Sequence, residues 1–164
     1  MTPAELLLLA ERVEAASGPD RALNREVALA VGWHRYSPSE IGKSNPGWIA
    51  PEDFIGEYVS RDGRRSPRLD SMHGTDVWRE PRDYLASLDA AMELVSEGVE
   101  GVGLSFKIER FYLGNGMVKC RASVWDGLGC VSSLDTASEA ATPALALTAA
   151  ALRARAQADP EGGR

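Results

Sequence analysis

The sequence has few of the residues that build metal, redox or nucleophilic sites. Its 164 residues include 2 cysteines and 2 histidines. Cys120 and Cys130 match neither a C-x-x-C redox motif nor a zinc-ligand set, so we expect reduced thiols. His34 and His73 lack the H-x-x-x-H spacing of a helical metal site. The sequence therefore predicts no metal, no cofactor and no catalytic set.

Long apolar runs and an excess of basic residues are also missing. No apolar run approaches the ~20 residues that span a bilayer. The run at 6–9 is too short, and too acidic at its flanks, for a signal peptide. A formal net charge of −6 argues against a general nucleic-acid binder, which carries a basic field. We expect a cytoplasmic protein that does not contact the membrane.

The composition is that of a folded protein. Hydrophobic residues make up 44% and charged residues 26% of the chain, as in ordinary globular domains. A chain of this length has enough residues for one domain with a real core. We predict a single domain over 1–158, with a loop-rich insertion at about 33–81 and a flexible tail at 159–164.

Capping residues mark four helices. Thr2-Pro3-Ala4-Glu5 is a capping box that begins the first helix, and Asp20 caps a second helix that Gly32 ends. Ser87 caps a third, and Thr142-Pro143 begins an Ala/Leu-rich helix that runs to Ala158. The buried positions predicted for the first and third helices are Leu6, Leu9, Val13, Ala16, Leu88, Ala91, Met92 and Val95.

A strand pair precedes the last helix. Apolar residues alternate with polar ones over 102–109 and 118–125, separated by a glycine-rich turn. The register that places all apolar partners on one face pairs Ile108 with Ala122 and Phe106 with Val124. It also sets Glu109 across from Arg121 as an opposite-charge pair. A weaker third strand is predicted at about 130–136.

Three segments resemble one protein family. They are L-A-E-R-V-E-A-A-S-G-P-D-R at 9–21, Y-L-A-S-L-D-A-A-M-E-L-V at 84–95 and A-A-T-P-A-L-A-L-T-A-A-A-L-R-A-R-A at 140–156. Together they resemble the phage ABA-sandwich domain proteins, small phage and prophage proteins without an agreed activity. The resemblance implies an α-β-α layered fold, a phage or prophage origin and a location in the host cell. It implies no catalytic residues.

The combined prediction for the fold is an α/β class protein. Its element order is α-α-(loop-rich insertion)-α-β-β-β-α, with an antiparallel three-stranded sheet in an α-β-α layered sandwich. Unpaired sheet edges and Ala-rich helices invite self-association, so a homodimer is a further prediction.

The polar face of the predicted strand pair is the first candidate binding surface. Lys107, Arg121 and Trp125 lie on it, and basic side chains interleaved with aromatic ones can stack on and neutralise a ligand. The alternative for this face is a solvated surface held by a salt bridge.

The insertion is the second candidate binding surface. Its aromatic residues argue for order, and a hairpin is predicted around residues 62–63 with a first strand at 54–60. A local basic run beside tryptophans can border a pocket for an anionic ligand or an acidic partner. The residues predicted to make contacts are Trp48, Arg64, Arg65, His73 and Trp78.

We expect a non-enzymatic phage or prophage accessory protein that acts by binding a host or phage protein, as an inhibitor of a host defence system. Two alternatives stay open. One is a protein that sequesters a small anionic, nucleotide-type signal without turnover. The other is a small hydrolase that uses His73 with Asp70 or Ser71, although triads converge in space and not in sequence.

Overall fold

The structure is a computed structural model, and it describes residues 1–41, 47–61, 65–70, 78–96, 104–113, 117–126 and 135–158. The chain divides into two units, the first formed by Met1–Val27 with Asp83–Arg164 and the second by Ala28–Arg82. The second unit contains the whole range that was predicted as an insertion. The predicted tail at 159–164 lies outside the described residues.

Helix α1, Pro3–Ala15, begins at the predicted capping box. The Thr2 hydroxyl accepts a hydrogen bond from the Glu5 amide at 3.3 Å, and the Glu5 carboxylate accepts one from the Thr2 amide at 2.6 Å. Two amides that have no partner within the helix are thereby satisfied. The helix buries four residues, which are Leu6, Leu9, Ala10 and Val13.

Helix α2, Arg21–Ala30, is capped as predicted. The Asp20 carboxylate accepts a hydrogen bond from the Leu23 amide at 2.7 Å. The chain leaves the helix through Gly32, whose φ of 98° is a left-handed conformation that favours glycine. The division between the two units falls inside this helix.

Helix α4, Leu88–Ser96, follows a cap by Ser87, whose hydroxyl accepts a hydrogen bond from the Ala90 amide at 3.2 Å. Its predicted buried face is partly wrong, because Leu88 and Met92 are exposed. The buried residues around this helix are Tyr84, Leu85, Ala90, Ala91, Leu94 and Val95. Tyr84 and Leu85 are buried just before the helix starts, and the Thr148 hydroxyl of the last helix donates a hydrogen bond to the Tyr84 carbonyl at 2.9 Å.

Helix α5, Pro143–Ala158, is the centre of the first unit. The Thr142 hydroxyl accepts a hydrogen bond from the Leu145 amide at 3.3 Å, which confirms the predicted cap. The helix is buried on nearly every side, and α1, α4 and the strands β6 (Val118–Asp126) and β7 (Asp135–Ala140) all pack against it. Alanine suits this position because its small side chain lets neighbouring elements approach closely. None of the described helices combines the length and apolar character needed to cross a membrane.

Strands β5, Leu104–Tyr112, and β6, Val118–Asp126, form an antiparallel pair. Ile108 pairs with Ala122, Phe106 with Val124 and Glu109 with Arg121, so the predicted register is confirmed. Beyond the strands, the Leu113 amide donates a hydrogen bond to the Met117 carbonyl at 2.8 Å. The hydrophobic pattern therefore set this register, as expected when one face of a sheet is buried.

Strand β7, Asp135–Ala140, pairs antiparallel with β6 to complete the sheet in the order β5-β6-β7. The third strand was predicted at about 130–136, but its described part extends to Ala140, and 127–134 lie outside the described residues. Thr136, Ser138 and Ala140 are buried on the helix side. The Thr136 hydroxyl donates a hydrogen bond to the Ala150 carbonyl of α5 at 3.1 Å.

The helices and the three-stranded antiparallel sheet confirm the predicted α/β class and element order. Cys120, Ala122 and Val124 of β6 are buried on the side of the sheet that faces α5, and Cys120 is a free thiol. The α-β-α layering stays a prediction. The opposite side of the sheet carries charged side chains that are largely exposed.

The second unit contains two small antiparallel sheets. Strand β1, His34–Tyr36, pairs with β2, Gly47–Ile49. Strand β3, Phe54–Val59, pairs with β4, Arg65–Leu69, through a register shift between Phe54 and Gly56. Both strands of the predicted hairpin are thus present on either side of 62–64, which lie outside the described residues. The short helical elements of this unit are α3, Pro38–Ile41, and a 3-10 turn, Pro51–Asp53.

Candidate functional site

The polar face of the β5-β6-β7 sheet holds a run of paired charges. The Lys107 ammonium lies 2.7 Å from the Glu109 carboxylate. Glu109 sits opposite Arg121 across β5 and β6, and the Arg121 Nε donates a hydrogen bond to Glu139 Oε1 of β7 at 2.9 Å. These groups share a face because each strand points alternate side chains to the same side. Cations and carboxylates therefore alternate across all three strands.

The ion pairs of this face shift the pKa values of their members. A hydrogen bond from Lys107 lowers the pKa of the Glu109 carboxyl, and the hydrogen bond to Glu139 raises the pKa of the Arg121 guanidinium. Both shifts keep the groups charged at neutral pH. Because the groups are exposed, water and salt screen each pair and its net contribution to stability is small.

A groove of about 640 Å³ opens on this face. Its lining residues are Glu14, Glu109, Arg121, Ser123, Ala137, Glu139 and Arg153. Three carboxylates and two guanidinium groups thus converge from β5, β6, β7, α1 and α5. The groove is open to solvent, so a ligand could enter without rearrangement of the sheet.

Arg153 and Glu14 form one wall of the groove. The Arg153 Nε and Nη2 atoms donate to the two oxygens of Glu14 at 3.2 and 2.9 Å. The Arg153 Nε also lies 3.2 Å from the Ser138 hydroxyl oxygen, to which it donates. Both charged side chains are about a quarter exposed. The bidentate pair is the geometry in which a guanidinium holds a carboxylate with the greatest directional specificity.

Aromatic rings flank the charges of the polar face. The Arg121 guanidinium lies 5.6 Å from the centre of the Phe111 ring, within cation–π range. A smaller cavity of about 280 Å³ is lined by this pair with Glu109 and Arg110. Trp125 is half-buried on the same strand. The structure thus brings the predicted residues Lys107, Arg121 and Trp125 onto one face.

The second unit contains a separate polar cluster around Glu57. The Tyr36 hydroxyl donates a hydrogen bond to Glu57 Oε1 at 2.9 Å, and the Arg65 Nε donates to Glu57 Oε2 at 2.9 Å. The bond from Arg65, and then that from Tyr36, lowers the pKa of the Glu57 carboxyl. Burial, followed by its bond to Glu57, raises the pKa of the Tyr36 phenol. Arg65, predicted as a ligand contact, is therefore engaged by a carboxylate.

His34 lies beside this cluster. Its ring stacks on Phe54, with centroids 3.5 Å apart and planes inclined by 21°. Burial is the main cause that lowers the pKa of the His34 imidazole, while the nearby Glu57 and Arg65 act in opposite directions. The neutral imidazole is thus favoured in the folded protein.

The tryptophans of the second unit occupy core or half-buried positions. Trp48 is 3% exposed, and the Arg35 guanidinium lies 5.6 Å from its ring centre. Trp78 is half-buried and meets the Tyr36 ring edge-on at 6.2 Å. The contact roles predicted for both stay predictions, although Trp48 has the surroundings of a core residue. Arg64 and His73, the remaining predicted contacts, lie outside the described residues, as does Ser71.

The sequence did not single out Glu14, Glu139 or Arg153 as site residues. Glu14 and Arg153 are 139 positions apart in the chain, so no local spacing links them. A basic residue such as Arg153 near the end of a helix is already explained by the helix dipole. The one usable signal was Glu139, which falls on the polar side if β7 alternates in phase with β6.

Within the ranges that the structure describes, no group of three or more His, Cys, Asp or Glu side chains is arranged to hold a metal ion. Comparison of the chain with protein-family models, with curated proteins and with solved structures gave no match. The arrangement of these charged side chains is therefore the basis for a functional proposal, and its chemistry is that of charge and hydrogen-bond recognition.

Proposed function

We propose that this chain is a binding protein without catalytic activity, and that it recognises a partner protein through the polar face of the β5-β6-β7 sheet. The observation that carries this proposal is the open groove in which Arg121 and Arg153 are each engaged by a carboxylate. Charges assembled from five elements on one open face suit recognition, since complementary charges select and orient partners.

The groove favours a partner that donates hydrogen bonds. Arg121 reaches Oε1 of Glu139, and Lys107 reaches Oε1 of Glu109. An ionised carboxylate can accept about four hydrogen bonds, so both keep acceptor capacity toward solvent. An anionic ligand would instead have to displace carboxylates from Arg121 and Arg153. The partner surface that fits is therefore one that presents lysine or arginine side chains.

The biological setting belongs to the same proposal and rests on the resemblance of residues 9–21, 84–95 and 140–156 to phage ABA-sandwich domain proteins. In that setting the chain is a phage or prophage accessory protein in the host cytoplasm. Its partner is a host or phage protein, such as a component of a host defence system that the chain inhibits.

Charge reversal in the groove tests the proposal. Glu139→Lys removes the carboxylate that accepts a hydrogen bond from Arg121. It also introduces a positive charge that repels any lysine or arginine side chain of the partner. We expect proteins captured from infected-host lysate by the wild-type chain to bind this variant at least about tenfold more weakly, a loss of ~1.4 kcal/mol. Quantitative mass spectrometry of the captured fraction measures the loss.

Glu80→Lys is the matched control, because Glu80 is exposed and does not line the groove. It makes the same change in net charge and should retain the captured proteins. Equal retention by wild type, Glu139→Lys and Glu80→Lys would show that the polar face is not the contact surface. Thermal unfolding of all three chains checks that the variants are folded.

A further inference from the structure

Strand β5 is an edge strand whose outer side has no strand partner among the described residues. On the helix side of the sheet its Phe106 and Arg110 side chains are exposed, Tyr112 is 75% exposed, and Leu104 and Ile108 are half-buried. An edge of nine residues without a strand partner in the described part of the chain is a template for another strand. We infer that this edge pairs antiparallel with β5 of a second copy of the chain, centred on Ile108, to join two sheets into one of six strands.

The hydrogen-bonding direction of each β5 residue follows from its pairing with β6. The Leu113 amide donates toward β6, and the β5-β6 register is continuous from Leu104 to Tyr112. Because successive residues of a strand point their backbone groups to opposite sides, odd-numbered residues bond to β6. The amides and carbonyls of the even-numbered residues, Leu104, Phe106, Ile108, Arg110 and Tyr112, therefore point to the open edge.

A two-fold axis at Ile108 satisfies this pattern. Ile108 then exchanges hydrogen bonds with Ile108 of the second copy, Phe106 does so with Arg110, and Leu104 with Tyr112. Every one of these pairs joins two outward-pointing residues, as antiparallel pairing requires. The apolar Ile108 and Leu104–Tyr112 pairs meet on the helix side, and Phe106–Arg110 is a cation–π pair.

Charge selects this register over its neighbours. With the axis at Ile108, Lys107 of each copy lies opposite Glu109 of the other on the polar face. An axis at Lys107 would set the two Lys107 side chains against each other, and an axis at Glu109 the two Glu109 side chains. An axis at Arg110 would oppose two guanidinium groups. Like charges directly opposite destabilise these three alternatives. An axis at Phe106 would set Lys107 against the neutral Ser105, whereas the axis at Ile108 sets Lys107 against Glu109.

Charge-reversed variants test this dimer. Light scattering after size exclusion should give the wild-type chain twice its 17.6 kDa mass. Lys107→Glu sets carboxylates against Glu109 of the second copy, and Glu109→Lys sets two ammonium groups against each other. Each variant alone should dissociate at least about tenfold more readily. An equimolar mixture of the two should recover the dimer, because every Glu then faces a Lys.

The mixture is the decisive experiment, because neither variant can form the Lys107–Glu109 contact within its own chain. The double variant K107E/E109K should also dimerise like the wild type. A wild-type chain that stays monomeric at the highest attainable concentration would overturn the inference. A dimer that both single variants leave intact, or a mixture that stays monomeric while both chains remain folded, would do so as well.

Arg110→Pro provides a second variant that spares the fold. The Arg110 amide points away from β6, so proline removes a donor from the open edge and leaves the β5-β6 ladder intact. We expect a monomer whose melting temperature stays close to that of the wild type. A full-strength dimer of this variant would contradict pairing through β5. Retained capture of the partner by this monomer would separate the dimer from the proposed binding function.

Discussion

At the residue scale, burial and hydrogen bonding determine the charge states of His34 and Glu57 in the second unit. His34 is stacked on Phe54 and faces Glu57 and Arg65 of the neighbouring strands. Loss of hydration disfavours its charged form, whereas Glu57 is held ionised by Arg65 and Tyr36. The cluster is therefore arranged around a neutral imidazole and a carboxylate at neutral pH. The stability of the unit should therefore depend on pH in a direction that can be predicted.

The stability of the chain should fall as the pH drops below about 6.5. The folded-state pKa of His34 is lowered from its ordinary value of 6.5, so the unfolded chain binds more protons as the pH falls through that value. The stabilisation is present above pH 6.5 and is lost as the pH falls through the folded-state pKa. Melting temperatures of the wild type and His34→Gln, measured from about pH 7.5 to 5.5, should converge as the pH falls.

His73→Gln is the control for that experiment, because it removes the other histidine and keeps His34. It should retain the decline in melting temperature. Titration of Glu57 does not overlap with that of His34. The pKa of Glu57 is lowered from its ordinary value of 4.5, so this carboxylate becomes protonated only below the measured pH range. Equal declines in wild type and His34→Gln would contradict the assigned role of His34.

Residue identity alone did not predict the surroundings of the tryptophans. The sequence predicts Trp48 as a binding contact because it lies in an irregular, arginine-bearing stretch. In the structure it belongs to the short β1-β2 pair, where Arg35 covers its ring. Burial of an aromatic residue depends on tertiary packing, which a loop-rich sequence without periodicity does not reveal.

At the element scale, local interactions made most of the fold predictable. Helix caps at Thr2, Asp20, Ser87 and Thr142 depend on residues three positions apart, and all four form as predicted. The β5-β6 register was predictable because alternation places the apolar side chains of both strands on one face. Helix caps and strand alternation therefore predict the main elements of the first unit.

The two misplaced predictions have tertiary causes. In α4, apolar residues occur on more than one side, and packing against α5 decides which side is buried. Strand β7, with the sequence D-T-A-S-E-A, has weak strand propensity. Its buried residues, Thr136, Ser138 and Ala140, are small and lie against α5, as the bond from Thr136 to the Ala150 carbonyl shows. Neither effect is visible in a local pattern.

The cap of α5 should have a measurable effect on stability. Thr142→Ala removes the hydroxyl that accepts from the Leu145 amide, and loss of such a cap costs about 1 kcal/mol, within a range of ~0.5–2. Because α5 is the central helix of the first unit, the cost should appear in the unfolding of that whole unit. Denaturant unfolding followed by circular dichroism measures it.

Thr142→Ser is the matched variant, since it keeps the accepting oxygen and loses only a methyl group. It should be nearly as stable as the wild type. If the alanine and serine variants unfold at the same denaturant concentration, the Thr142 hydroxyl does not stabilise α5 and the account of the cap is wrong.

At the scale of the whole molecule, the candidate site is assembled from distant parts of the chain. Sequence alternation placed Lys107 and Arg121 on one face, and the structure confirms that placement. Glu14 and Arg153 come from helices at opposite ends of the chain and meet only after folding. The sequence therefore predicted the sheet that carries the groove, while the groove itself depends on how α1 and α5 pack beside β7.

The positions of the lysines allow the two candidate binding surfaces to be separated. The lysines of the chain are Lys43, Lys107 and Lys119. Lys107 and Lys119 lie on the polar face of β5 and β6, whereas Lys43 belongs to the predicted insertion. A lysine-reactive cross-linker therefore reports which surface a partner contacts.

The most direct test of the binding account is cross-linking mass spectrometry of the wild-type chain with the proteins it captures from infected-host lysate. The account predicts cross-links from the partner to Lys107 and Lys119, with a smaller yield for the Glu139→Lys chain. Cross-links confined to Lys43 would contradict recognition through the sheet and would assign it to the insertion instead.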